Sequence, residues 1–96
     1  MMKSIKPIST KVEKIIEVSE EKFIVLEDYF GFEGVSNIYC VVNDIIIWYA
    51  EKSQPNDKFV NMIKIDVDSI FAFTWNGFKE KINSKTGKII DVEFSK

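Results

Sequence analysis

The sequence predicts an all-β fold, two four-stranded antiparallel meanders related by internal duplication and packed as a small sandwich or barrel. Three observations carry this. First, short apolar runs recur in a fixed order: Ile16-Glu17-Val18 and Lys22-Phe23-Ile24-Val25-Leu26 are answered by Ile63-Lys64-Ile65 and Ser69-Ile70-Phe71-Ala72-Phe73. The match continues with Ile38-Tyr39-Cys40-Val41-Val42-Asn43 against Phe78-Lys79-Glu80-Lys81-Ile82-Asn83, and Ile45-Ile46-Ile47-Trp48 against Ile89-Ile90-Asp91-Val92. A repeat of this kind points to an architecture before any single residue does. Second, the runs are short and rich in β-branched and aromatic residues. Third, Asn76-Gly77 between Trp75 and Phe78 is a strong hairpin signal. Residues 1–96 form one domain, with repeats over about 10–50 and 58–94.

Each element follows from its local pattern. Residues 10–18 alternate around Val12, Ile16 and Val18, Ser19-Glu20-Glu21-Lys22 turns the chain, and residues 23–26 return as a β-branched and aromatic run. After an irregular stretch over 28–37, strands over 38–42 and 45–50 flank Asn43-Asp44, a pair that tolerates the positive φ of a tight turn. Gln54-Pro55-Asn56-Asp57 breaks the chain. Strands over 59–65 and 70–75 then enclose the turn Asp66-Val67-Asp68, and strands over 78–82 and 89–94 enclose a turn over 83–88. Phe59, Met62, Ile63 and Asp66 partly fit a helical period over 57–65, but the repeat argues for strand there.

Alternation indicates which faces are covered. In the last hairpin Phe78, Glu80 and Ile82 oppose Lys79 and Lys81, while Ile90, Val92 and Phe94 oppose Asp91 and Glu93, so one face is expected to be buried and one wet. The corresponding hairpin of the first half is apolar on both sides, with Ile38, Cys40 and Val42 against Tyr39 and Val41, and Ile46 and Trp48 against Ile45, Ile47 and Tyr49. Both its sides require cover, from the rest of the chain or from another molecule.

Composition narrows the chemistry. A chain that is 46% apolar has the means to bury a core, and no apolar run approaches the roughly 20 residues of a membrane helix. The N-terminal lysines precede no apolar segment of secretory type, so a cytoplasmic location is expected. Cys40 is the one cysteine; it sits in an apolar run and reads as a small core residue. Histidine is absent, which removes the commonest general base and zinc ligand. All 13 cations are lysine, so the guanidinium forks that grip phosphates and guanine edges are missing, and nucleic acid is not an expected partner. The net charge of −2 hides an uneven spread, because residues 15–78 hold four lysines against eleven carboxylates. An acidic centre steers basic partners, and it also keeps a surface soluble.

The stretches from Asn37-Ile38-Tyr39-Cys40 to Ile47-Trp48 and from Phe78 through Asn83-Ser84-Lys85-Thr86-Gly87-Lys88 to Ile90 resemble the repeat of quinoprotein-type β-propellers. There an aromatic strand leads into an Asp-x-x-Thr-Gly-Lys turn and a strand ending in Trp. The resemblance covers about half the chain and implies a four-stranded meander per half. Asn83 stands where the repeat has Asp, the first copy lacks the Thr-Gly turn, and the second lacks the terminal Trp. Two blades cannot close a ring of four to eight, so the halves would pack on each other or assemble with further copies. No cofactor-binding residue carries over.

The segment over 27–36 is extra relative to the second half and combines aromatics, carboxylates and glycines, a mixture suited to an aromatic anchor ringed by charge. The candidate partner-binding residues are Glu27, Asp28, Tyr29, Phe30, Phe32 and Glu33, joined by Tyr39, Val41, Ile47 and Tyr49 from the doubly apolar hairpin. The competing reading has Phe30 and Phe32 folding back on the core. Asp57, Asn61, Asp66 and Asp68 offer oxygen ligands but no glycine-bearing loop, so no metal is expected. The expectation is a non-catalytic protein-binding domain without cofactor, most concretely a small bacterial immunity-type protein that occludes a basic toxin. The alternative is a propeller-like module that self-assembles and binds a small ligand or sugar. Enzymatic activity ranks last, since no constellation of groups is forced to converge.

Overall fold

The computed structural model describes residues 11–28, 36–54 and 57–94. The segment over 29–35, with the candidates Tyr29, Phe30, Phe32 and Glu33, lies outside the described residues. Eight strands follow in order: β1 (Val12–Ser19), β2 (Lys22–Glu27), β3 (Ile38–Val42), β4 (Ile45–Tyr49), β5 (Phe59–Lys64), β6 (Ser69–Thr74), β7 (Phe78–Asn83) and β8 (Ile89–Phe94). They form two antiparallel meanders of order β1-β2-β3-β4 and β5-β6-β7-β8, with no helix among the described residues. The stretch with a partial helical period is β5.

The turns take the conformations that their residues favour. Asn43 and Asp44 have φ of 51° and 67°, the left-handed pair that matches the twist of flanking strands. Around Asn76-Gly77, β6 stops at Thr74, one residue short of the reading from sequence, and Trp75 lies in a three-residue turn. Gly77 at φ 93° permits that turn, and Thr74 Oγ1 accepts the Phe78 N–H at 3.0 Å. In the β7–β8 turn Asn83 Oδ1 accepts the N–H groups of Lys85 and Thr86, so the amide oxygen closes the turn where a carboxylate stands in the resembled repeat. Asp66 Oδ1 likewise takes the N–H groups of Asp68 and Ser69. Residues 66–68 form an exposed turn that leads into Ser69, buried at the start of β6.

The sheets share one core. Ile24 and Leu26 of β2, Ile38 and Cys40 of β3 and Trp48 of β4 meet Phe59, Met62, Ile70, Ala72 and Ile82 of the second sheet, all buried. Each fully buried side chain of this size contributes roughly 1.5–3 kcal/mol.

The sense of the stacking follows from the hydrogen bonds. On a strand of L-residues, the side to which the main chain bonds and the face to which the side chain points alternate together. The Glu27 N–H donates to the Asn37 carbonyl and the Asn43 N–H to the Glu21 carbonyl, so odd residues of β2 bond toward β3 and even residues toward β1. The core-facing residues Ile24 and Leu26 belong to the second set. In β6 the Ser84 N–H donates to the Asp68 carbonyl and the Trp75 N–H to the Lys58 carbonyl, so even residues bond toward β7. Ile70 and Ala72, which face the core, therefore bond toward the third strand of their meander. The sheets stack in the same sense, the back of one on the front of the next. By this phase Phe23 and Ile70, and Val25 and Ala72, occupy equivalent positions in the two meanders. On the third strand the correspondence slips by one, pairing Tyr39 with Glu80 and Val41 with Ile82.

Asn37, 1% exposed, joins the sheets. Its Nδ2 donates to the carbonyls of Glu27 at 2.9 Å and Phe59 at 2.8 Å, and its Oδ1 accepts the Phe59 N–H at 3.0 Å. The side-chain amide thus pairs with both main-chain groups of Phe59 as a neighbouring strand would. Lysines finish this margin: Lys14 Nζ donates to the Met62 carbonyl at 2.6 Å, and Lys64 Nζ reaches the Glu17 carbonyl at 3.5 Å. At the opposite margin the Trp48 ring lies on Gly87, where an added Cβ would fall 2.5 Å from Trp48 Cε3. The indole of β4 in the first sheet thus lies on the β7–β8 turn of the second.

Replacing Asn37 with Ala removes the partner of both the N–H and the carbonyl of Phe59 in the interior. Urea denaturation is expected to show a loss of about 3 kcal/mol. Asn37→Asp should be no milder at pH 7, because it sets a carboxylate oxygen against two carbonyls.

Candidate functional site

The structure divides the residues proposed from sequence by accessibility. Glu27, Tyr39 and Val41 are buried in the single chain. The Tyr39 hydroxyl donates to Glu27 Oε2, and Val25, Tyr39 and Val41 pack with Val12 and Ile15 on the face of the first sheet turned away from the second. That face is covered at β2 and β3. Asp28 is half-buried just past β2. Ile47 and Tyr49 are the two candidates with large exposed side chains. Tyr49 packs against Tyr39 with ring centroids 6.1 Å apart, which holds the exposed ring on a buried one.

Exposure extends along β4 beyond these two. Ile45 is 65% exposed, Ile46 37%, Ile47 49% and Tyr49 43%, while Trp48 alone turns into the core. Ile47 is the extra residue of a bulge between the Cys40–Trp48 and Val41–Ile46 pairs, and this brings adjacent isoleucines to the surface. The strip carries no charge of its own. The Asp44 turn precedes it, and Glu51 follows it, accepting the Ile89 N–H through Oε1. Sequence reasoning singled out Ile47 and Tyr49 but not Ile45 and Ile46. A run of five uncharged strand residues without a lysine or proline was the available signal.

A second cluster lies where the β4–β5 connection meets β7. Glu80 is fully buried, accepts the Ser53 hydroxyl at 2.7 Å through Oε2, and has no hydrogen-bond partner at Oε1. Burial pushes its carboxyl above the usual range, opposed by the bond from Ser53 and reinforced by Asp57 and Glu51. Asp57 spends Oδ1 on the N–H groups of Lys58 and Asn76, leaving Oδ2 without a partner, as is Trp48 Nε1. These atoms have negligible solvent exposure, so no substrate reaches them without rearrangement. The Cys40 thiol, buried in the core, is pushed up to about 11 by desolvation, which keeps it protonated and poorly nucleophilic. Among the described residues no three His, Cys, Asp or Glu side chains are placed to hold a metal ion. No helix among them is long and apolar enough to cross a membrane.

No family model, curated protein or solved structure matches this chain.

Two outcomes test this geometry. Ala at position 87 would combine φ +77° with a clash on the Trp48 ring, and chemical denaturation should register a loss of about 2 kcal/mol with an altered near-ultraviolet Trp signal. Glu80 holds its proton to higher pH in the folded than in the unfolded chain, so its contribution to stability falls as pH rises from the unfolded pKa through the folded one. Glu80→Gln should flatten that fall and be neutral or stabilising at pH 7; a variant that is less stable than the parent at pH 7 yet equal to it at pH 4 would contradict this.

Proposed function

We propose that the chain is a non-catalytic protein-binding domain for a basic protein, most concretely an immunity-type protein that neutralises a toxin by occluding it. The observation that carries this reading is the uncharged strip of Ile45, Ile46, Ile47 and Tyr49, exposed on a segment with four lysines against eleven carboxylates. Such a strip offers a desolvated centre to a contact, and the carboxylates that flank it in the chain, Asp44 and Glu51, favour a cationic partner and oppose wrong ones. The chemical groups support binding over turnover, since the perturbed carboxyl and the thiol are both enclosed.

Affinity capture from the native host with the intact chain, followed by titration of the captured protein, tests this reading. Ile47→Lys and Tyr49→Ala should each weaken the complex about tenfold or more while shifting Tm by no more than a few degrees. Failure to recover any saturable protein partner would remove the reading.

A second reading, assembly of copies into a larger ring, draws on the same-sense stacking of the sheets, which is open-ended in principle. Its cost is visible on the free faces. Val25 and Tyr39 are already covered on one, and on the other Lys79 lies 4.5 Å from the Phe71 ring centroid while pairing with Glu93 at 3.0 Å. A strict monomer by sedimentation at micromolar concentration would eliminate the ring.

A further inference from the structure

Two four-stranded sheets have four edges, and side chains close three of them. At β5 the outward N–H of Met62 is taken by Asn61 Oδ1 at 2.9 Å and its carbonyl by Lys14 Nζ at 2.6 Å. At β1 the outward carbonyl of Glu17 accepts Lys64 Nζ. At β8 the outward N–H of Val92 is taken by Asp91 Oδ1 at 3.0 Å, and Asp91 and Glu93 put charge on the strand. These are the devices that keep a sheet edge from recruiting another strand.

The edge at β4 has none of them. The Ala50 N–H donates to the Ile38 carbonyl, so Tyr49, one residue back, turns its main chain outward. Ile46 pairs with Val41, whose own main chain bonds toward β2, so Ile46 is also turned outward. No side chain among the described residues closes on either. The Gly87 carbonyl accepts the Glu51 N–H at 2.7 Å and ends the open stretch there. What remains is Ile45–Tyr49, apolar and uncharged, interrupted only by the bulge at Ile47.

We infer that the β4 edge is a strand-addition site that takes an extended segment of a basic partner protein, with alternating apolar side chains and lysine or arginine at its flanks. The inference rests on the reading of the chain as a protein-binding domain and adds how the partner is held. Unpaired main-chain groups specify an extended occupant, because only another strand satisfies them in register. Charge selects its chemistry. A second copy would bring an equally acidic segment to the same strip, with Asp44 of one chain near Glu51 of the other in an antiparallel pair. A cationic segment meets the opposite situation.

The probe is a short synthetic peptide of alternating threonine and valine with paired lysines at both ends, titrated into the isotopically labelled full chain. Saturable amide shifts at Ile46 and Tyr49 are expected, with their hydrogen exchange slowed about tenfold while Trp48 and Ala50 are unchanged. The same peptide flanked by glutamates should bind about tenfold more weakly or worse, and N-methylation of its pairing amides should abolish the effect. Ile47→Lys, at the exposed bulge, should weaken the peptide without altering the fold. Absence of saturable shifts at Ile46 and Tyr49, or equal binding of the N-methylated peptide, would overturn the inference. Concentration-dependent protection of those amides in the free protein would overturn it in favour of a second copy. A native partner that binds while these amides keep exchanging would retain the protein-binding reading and remove this one.

Discussion

The carboxamide of Asn37 is the constraint on which the arrangement of the molecule depends. Two sheets that meet through apolar side chains alone can slide, because burial is proportional to area and has no preferred register. Asn37 supplies one. By bonding both main-chain groups of Phe59 and the carbonyl of Glu27, it fixes the start of β5 against the junction of β2 and β3. The amide is buried, so these bonds have no competing water, and any other register takes the partner from both main-chain groups of Phe59.

That registration determines which surfaces are left over. With the start of β5 held against the first sheet, the margins of β1 and β5 lie within reach of Lys14 and Lys64, and at the far margin Trp48 settles on Gly87. The same-sense stacking turns β2 and β3 inward with their even residues, yet their odd residues Val25, Tyr39 and Val41 are buried as well. The first sheet is therefore dry on both faces across β2 and β3, and its apolar excess comes to the surface on β4. An exposed apolar strand in an acidic chain is the surface on which the proposed binding role rests, while the thiol of Cys40 and the carboxyl of Glu80 are enclosed.

Much of this was legible in the residues, for physical reasons that differ by element. Strand positions followed from the spacing of β-branched and aromatic runs, and the turns from Asn43-Asp44 and Gly77, whose backbones reach left-handed φ at little cost. The charged face of β7 and β8 followed from Lys79 and Lys81 opposite Asp91 and Glu93, but the dry face expected opposite it fails on β8, where Ile90, Val92 and Phe94 are exposed because no other element among the described residues packs on that edge strand. The role of Asn37 was not legible, because a polar residue before a strand reads as a loop residue unless its partner, 22 residues away, is known. Nor was the division among the candidate contacts. Residues 38–49 are apolar on both faces, so alternation could not separate the buried Tyr39 and Val41 from the exposed Ile47 and Tyr49. Glu27 reads as a surface acid from its charge, and its place beside the Tyr39 hydroxyl emerges in the structure alone. The one-residue slip on the third strand escaped because apolar and charged residues alternate in one copy while the other is uniformly apolar.

The most direct test of the account is amide hydrogen exchange of the free monomer, compared edge by edge. If β4 is the one edge left open for a partner, the outward amides of Ile46 and Tyr49 exchange at least about tenfold faster than that of Met62, which Asn61 closes on β5. Equal protection of all three would mean that β4 is closed like the others, and would contradict the assignment of the binding surface to it.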